Sequence, residues 1–224
     1  METVCIRNVR AVDSLRDAVC DILIRDGRIA AIGENIAAET DRGIDGTGLI
    51  AMPGLFDMHV HFRDPGQTHK EDLHTGCAAA LAGGVTGVLC MPNTTPPMDN
   101  PDTVRELLSR AEAEVVAVHQ AGTLTVGLKG EQLSDYEALK AAGVTALSDD
   151  GKPVPTAELM EEALRKAKAA GLPVVSHCED LAIIAGGIIN KGRLLFTGTL
   201  QEMRETFKED VSLEQLFLEI TEND

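Results

Sequence analysis

The stretch "GLFDMHVHFRDPG", residues 54–66, sets two imidazoles one residue apart at the end of an apolar run. Side chains in a strand alternate between faces, so His59 and His61 share a face, about 7 Å apart along the backbone. Two histidines on one side of a strand end can grip a metal ion from one direction. Further metal-capable side chains close later apolar runs: Asp149 and Asp150 in "VTALSDDG", and His177 in "LPVVSHCED". Imidazole and carboxylate form the donor set of zinc or a similar divalent ion in a hydrolytic site. An aspartate among them could bridge two ions, each partly held by histidine. Such a centre lowers the pKa of a shared water and polarises the carbonyl it attacks.

Each motif also has a plainer reading. An HxH pair alone is a weak signal, "SDDG" alone more often makes a turn, and a lone strand-end histidine more often serves as a hydrogen-bonded structural residue. Their joint occurrence at the same pole of successive strands favours a metal site. Asp57 shares the face of His59 and His61, either supporting those ligands or packing as a polar strand-start residue. His69, His74 and His119, in a loop, a helix and mid-strand, are read as non-ligands. Arg63 follows the pair directly, and its guanidinium fork suits a carboxylate; the alternative is a salt bridge with Asp64. Asn93, in "MPNTTPP", offers a donor and an acceptor at the same pole, or simply forms a turn before the prolines. Together Arg63 and Asn93 fit an anionic cyclic amide.

The elements that position these residues follow from the hydropathy pattern. Residues 1–54 read as a small β-layer, with "CDILIRDGRIAAIG" alternating around a hairpin turn at Asp26-Gly27. From residue 55 a unit repeats: an apolar strand with a polar end, a Gly/Pro turn, then an amphipathic helix. The strands are "FDMHVHFRD", "VTGVLCMPN", "AGTLT", "VTALSDD" and "LPVVSHCED", with helices expected at about 71–82, 101–113, 132–142 and 156–170. In the last helix Leu159, Met160, Leu164 and Ala167 form the expected apolar side, Thr156 the N-cap and Gly171 the stop. Strand–helix alternation means a parallel α/β architecture, either a closed barrel or an open doubly wound sheet. No GxGxxG or GxxxxGK[ST] loop follows any strand, which weakens the open nucleotide-binding forms. Chemical residues at the carboxyl ends of successive strands favour a (β/α)8 TIM barrel, of which about five units fit this chain.

Bulk composition narrows the function classes. The chain has 224 residues, 44% hydrophobic, enough for one large or two small domains. Its formal charge is −16 and no basic cluster interrupts the acidic background, which argues against nucleic-acid and anionic-membrane partners. "METVCIRNVR" lacks a signal-peptide core, and "GCAAALAGGVTGVLCMP" is too short and broken to span a bilayer, so a cytoplasmic protein is expected. The five cysteines form no CxxC pair and suit reduced thiols; Cys178, beside His177, reads as a small buried filler rather than a nucleophile or ligand.

"PGLFDMHVHFRDPGQTHKEDLHTGCAAALAGGVTGVLCMPNTTP", "LKGEQLSDYEALKAAGVTALSDDGKPV" and "VVSHCED" closely resemble the dihydroorotase family of the amidohydrolase superfamily, over about residues 1–192. Allantoinases and hydantoinases share the HxH pair, but the "HFRDPG…KED" and "MPNT" combination is closer to dihydroorotases. The resemblance implies a β-sandwich-like part over 1–54, a metal-dependent barrel over 55–192, and two zinc ions. It implies interconversion of dihydroorotate and N-carbamoyl-aspartate in pyrimidine biosynthesis, with a small-molecule substrate. By motif, His59 and His61 would bind one zinc, His177 the other, and Asp150 would bridge them. The second Asp of "SDDG" matches the family's ligand, which selects Asp150 over Asp149, and no strand ends in the lysine that relatives often use instead. Asp150 would thus be the bridging ligand of a metal-bound hydroxide, with Arg63 and Asn93 on the substrate carboxylate.

The family also uses another zinc-ligating histidine and a proton-shuttling aspartate from later strands, and neither has a counterpart in these 224 residues. The second ion is therefore expected to be weakly held, and the missing acid/base step to forfeit about 10²–10⁴-fold in rate. Residues 193–224, an acidic tail, resemble instead the C-terminal end of an ABC-transporter ATP-binding subunit. Walker A and the ABC signature are absent, so no ATPase activity is assigned. The plainer reading is an amphipathic helix with Leu213, Leu216, Phe217 and Ile220 as its stripe. A fusion or truncation junction is expected near 188–195. Two competing functions stand beside the dihydroorotase: a non-catalytic dihydroorotase-like fragment or scaffold, with homo-oligomerisation left open, and a hydantoinase/allantoinase-type amidohydrolase.

Overall fold

The computed structural model describes residues 2–177 and 179 in full and residues 187–190 and 193–197 as backbone. The ABC-transporter resemblance of the tail, its Leu213–Ile220 stripe and the reading of Cys178 concern side chains outside the described residues. Two compact units are distinguished. One holds residues up to Asp57 with Cys77–Val88 and Val115–Ala117; the other holds Met58–Gly76, Leu89–Glu114 and the described residues from Val118 onward.

The N-terminal part is a sheet, as its alternating sequence requires. β1 (Thr3–Val12) pairs antiparallel with β2 (Asp17–Arg25), which pairs antiparallel with β3 (Arg28–Gly33). β4 (Arg42–Asp45) and the short β5 (Ile50–Ala51) both lie parallel to β1. The β2–β3 turn forms at Asp26-Gly27, both at positive φ (50° and 72°), as a two-residue hairpin of this twist demands. Inward-facing Val9, Ala11, Cys20 and Ile22 make the core of this sheet.

The pairing of β1 with β2 slips between Ile6 and Val9, where Asn8 takes a positive φ of 55°. The amide hydrogen released there is donated to the buried Asp21 carboxylate (3.1 Å), which also accepts from the Ile36 amide (3.0 Å) and the Arg7 guanidinium (3.2 Å). The Asn8 and Ile36 amides and Arg7 together hold the Asp21 pKa below the ordinary carboxylate value.

From residue 55 the strand–helix repeat appears. β6 (Leu55–Val60), β7 (Val85–Cys90), β8 (Ala117–Gly122) and β9 (Ala146–Leu147) are hydrogen-bonded in that order, with β8 and β9 parallel. Val174 continues the series by a parallel bridge to Leu147. The intervening helices are α1 (Leu73–Ala82), α2 (Pro101–Ala111), α3 (Tyr136–Ala141) and α4 (Ala157–Ala170). This is a partial (β/α)8 barrel preceded by a small β domain, as the sequence predicts. The backbone of β10 (Gly187–Asn190) and β11 (Arg193–Thr197) forms a separate antiparallel pair.

The helices start where their caps dictate. Asn100, Asp135 and Thr156 each accept a backbone N–H from the first turn of α2, α3 and α4 (2.8, 3.0 and 3.2 Å), and α4 stops at Gly171 with φ 67°. One expectation is corrected. The side of α4 that packs inward is Ala163, Ala167 and Ala170, with Met160 beside it, while Leu164 is 48% exposed. Small side chains let the helix backbone approach Leu139, Val144 and Leu147 closely, and the larger leucine lies off that stripe.

Because the folded-state pKa of Asp21 is lowered, its stabilisation is present above the ordinary carboxylate pKa and is lost as pH falls through the folded value. Asp21→Asn should therefore lower the thermal unfolding midpoint at pH 7, with the gap to the parent chain closing in acid. Thermal scans from pH 7 to 2 check this; a gap that stays constant across that range would contradict it.

Candidate metal centre

Six polar side chains of the second unit gather at or just beyond strand ends. His59 lies in β6 and His61 one residue beyond it; Asn93 follows β7; Asp149 and Asp150 follow β9; His177 lies three residues after Val174. The sheet order thus brings together groups spread over more than a hundred residues.

Asp150 is the centre of the arrangement. Its side chain is 7% exposed, and its two oxygens face three imidazoles. His59 Nε2 is 3.3 Å from Oδ1, His61 Nε2 is 3.4 Å from Oδ2, and His177 Nδ1 is 3.3 Å from Oδ1. The His59 and His61 rings lie edge to face, their centroids 5.2 Å apart. One donor atom from each of His59, His61 and Asp150 falls within 4.8 Å of the other two. His177 approaches the same carboxylate oxygen as His59 but is not part of that three-atom group.

These distances suit a metal ion. Bonds of about 2.0–2.2 Å around a tetrahedral ion set neighbouring ligand atoms roughly 3.4 Å apart, close to the separations found here. Imidazole nitrogen with carboxylate oxygen is also the chemistry that zinc and similar divalent ions accept. The residues present therefore fit a divalent metal.

Asp149, the other candidate, has a different task. It is 2% exposed and accepts hydrogen bonds from the Leu124 amide (2.7 Å), the Thr125 amide (3.1 and 3.2 Å) and the Thr125 hydroxyl. Burial raises its pKa above the ordinary carboxylate value, and the hydrogen bonds from Thr125 and Leu124 oppose that rise. This clamp also explains where β8 ends. The sequence predicts a strand over "AGTLT", but the strand is Ala117–Gly122, because Asp149 draws the amides of Leu124 and Thr125 out of the ladder.

Around the centre, loop geometry is set by close approaches. Asp64 is gripped by both terminal nitrogens of Arg110 (2.9 and 2.8 Å), so the salt bridge of Asp64 with Arg63 is not formed. Arg63 itself, at φ 58° and half-buried, has no side-chain hydrogen bond or ion pair among the described residues. Gly66, at φ 84°, passes so near the Asn93 loop that a Cβ there would clash with the Thr95 carbonyl oxygen, and the Thr95 amide donates to the Pro65 carbonyl (3.2 Å). Asn93 sits between His61 and Asp150, touching both. His74, read as a non-ligand, pairs with Glu114 (3.3 Å). Sequence reasoning missed Glu179, whose carboxylate lies 3.1 Å from His177 Nε2. Its only signal was proximity in "SHCED".

A family model described as "Dihydro-orotase-like" matches residues 48–206. Proteins named "Dihydroorotase" from Geobacter sulfurreducens and Citrifermentans bemidjiense are each 47% identical to the chain over 191 residues, which is 84% of this chain and 45% of theirs. The chain thus spans about half the length of the curated relatives it matches. Among solved structures, an L-hydantoinase (dihydropyrimidinase) from Arthrobacter aurescens superposes with a TM-score of 0.72 at 25% identity, covering 93% of this chain and 44% of that one. The fold is that of the amidohydrolase class, and the chain belongs to the dihydroorotase-like family within it.

The two adjacent aspartates should behave oppositely on substitution. Asp149→Ala strands three buried donors and is expected to destabilise the chain by about 2–4 kcal/mol. Asp150→Ala removes the carboxylate at the centre and should leave the metal-free chain within about 1 kcal/mol of the parent while abolishing zinc uptake. Urea titration with zinc-binding assays checks both; equal stabilities of the two variants would contradict the division of labour.

Proposed function

We propose that the chain acts as a zinc-dependent dihydroorotase, opening and closing the cyclic amide that links dihydroorotate and N-carbamoyl-aspartate. The observation that carries this reading is one buried carboxylate faced by three imidazoles, at the strand ends of a chain in the dihydroorotase-like family. His59, His61, Asp150 and His177 are the residues that would hold the zinc. When bound, such ions supply Lewis-acid polarisation of the amide carbonyl and lower the pKa of a coordinated water towards neutrality.

The protein's own groups bind and orient the substrate. Arg63 offers a planar pair of donors beside the histidine pair and clamps the substrate carboxylate. Asn93, anchored through its amide nitrogen to Asp150, shares the substrate carboxylate with Arg63. The setting is cytoplasmic, in keeping with Cys5, Cys20, Cys77 and Cys90, which form no disulfide. Among the described residues no helix is long and apolar enough to cross a membrane.

The likeness to the hydantoinase structure favours a second reading, in which the ring opened is a hydantoin. Purified chain loaded with zinc is therefore assayed on dihydroorotate, a hydantoin and allantoin side by side. The expected result is ring opening of dihydroorotate alone, abolished by a chelator and restored by zinc. Preference for a hydantoin or allantoin would transfer the assignment. Absence of turnover from a folded, zinc-loaded chain would leave a non-catalytic scaffold. Calorimetry with carbamoyl-aspartate gives a separate check: Arg63→Met should weaken binding about 10–100-fold without altering zinc content. Unchanged affinity would remove Arg63 from the substrate site.

A further inference from the structure

Two of the site histidines are also tied through their other ring nitrogen. His61 Nδ1 lies 2.9 Å from Asn93 Oδ1, and the Asn93 amide nitrogen lies 3.0 Å from Asp150 Oδ2 and 3.4 Å from the Asp150 carbonyl oxygen. On the far side of the carboxylate, His177 Nε2 lies 3.1 Å from Glu179 Oε2. A carboxylate and a backbone carbonyl only accept hydrogen bonds, so Asp150 fixes which way the Asn93 amide points. Flipping that amide would set its oxygen against Asp150, acceptor against acceptor. With its nitrogen committed to Asp150, Asn93 presents only its carbonyl oxygen to His61, and His61 Nδ1 must carry the hydrogen. Glu179 imposes the converse on His177, whose Nε2 carries the hydrogen and whose Nδ1 lone pair is left facing Asp150.

We infer that Asn93 and Glu179 are positioning residues that hold His61 and His177 in opposite ring tautomers, each with its lone pair aimed at the Asp150 carboxylate before any ion arrives. This rests on the metal-centre reading above and adds a role for Asn93 beyond substrate contact. Removing either residue frees a ring to rotate and to take the wrong tautomer. Loss of such outer partners of ligand histidines typically weakens metal binding by about 10–100-fold.

The test uses the full chain, with zinc alone as the probe. Zinc affinity is measured by competition with a chromophoric chelator for the parent, Asn93→Ala, Glu179→Ala and Glu179→Gln. Histidine tautomers are read in the metal-free proteins by 15N NMR of the rings. Asn93→Ala and Glu179→Ala are each expected to lose about 10–100-fold in zinc affinity. Glu179→Gln, which keeps an oxygen acceptor, should recover most of that loss. In the metal-free parent, His61 should be protonated on Nδ1 and His177 on Nε2, with a tautomer mixture appearing at the ring whose partner is removed. Parent-like zinc affinity in both alanine variants, or unchanged tautomers, would overturn the inference, as would a glutamine variant no better than alanine. If Asn93→Ala does not fold, the Glu179 pair decides. If the parent takes up no zinc, the metal-centre reading fails, and the ring tautomers still judge this inference.

Discussion

A carboxylate taken out of water must be offset by donors or cations, and Asp150 is met by the Asn93 amide and by three imidazoles. Imidazole nitrogens 3.3–3.4 Å from this carboxylate are a poor match by themselves, too distant for strong charge-assisted hydrogen bonds. A divalent cation among them would resolve the mismatch, turning lone pairs and negative charge into ligands. The surrounding loops are built to keep these groups so arranged.

That arrangement depends on contacts that do no chemistry themselves. Asp149 fastens the Leu124–Thr125 loop to the end of β9 and thereby fixes the backbone that presents Asp150. Arg110, from the end of α2, grips Asp64 and anchors the segment that follows the histidine pair. Gly66 allows that segment to touch the Asn93 loop, where no residue with a side chain would fit. Beneath these loops, Leu124, Leu139, Leu147 and the alanine stripe of α4 form a buried core that resists rearrangement.

Local features were legible in the sequence because their causes are local. The Asp26-Gly27 hairpin, the Thr156 and Gly171 ends of α4, and the strand–helix rhythm each rest on residues within a few positions of one another. The histidine pair and His177 could be placed at strand ends for the same reason. The distinct roles of Asp149 and Asp150 were not readable from spacing, since adjacent residues point opposite ways and their partners come from distant loops; family resemblance, not periodicity, singled out Asp150. Arg110 as the partner of Asp64 is 46 residues away in the chain and left no trace in the pattern. The inward face of α4 was misjudged because hydrophobicity ranks leucine above alanine, whereas close packing against α3 and β9 selects for small size.

The central claim, that these side chains form a divalent-metal centre, is tested most directly by anomalous diffraction at the zinc absorption edge from a crystal of the zinc-loaded chain. The account predicts an anomalous peak about 2.0–2.2 Å from His59 Nε2, His61 Nε2 and an Asp150 oxygen. A crystal whose zinc peaks all lie elsewhere, with these three side chains bare, would contradict it.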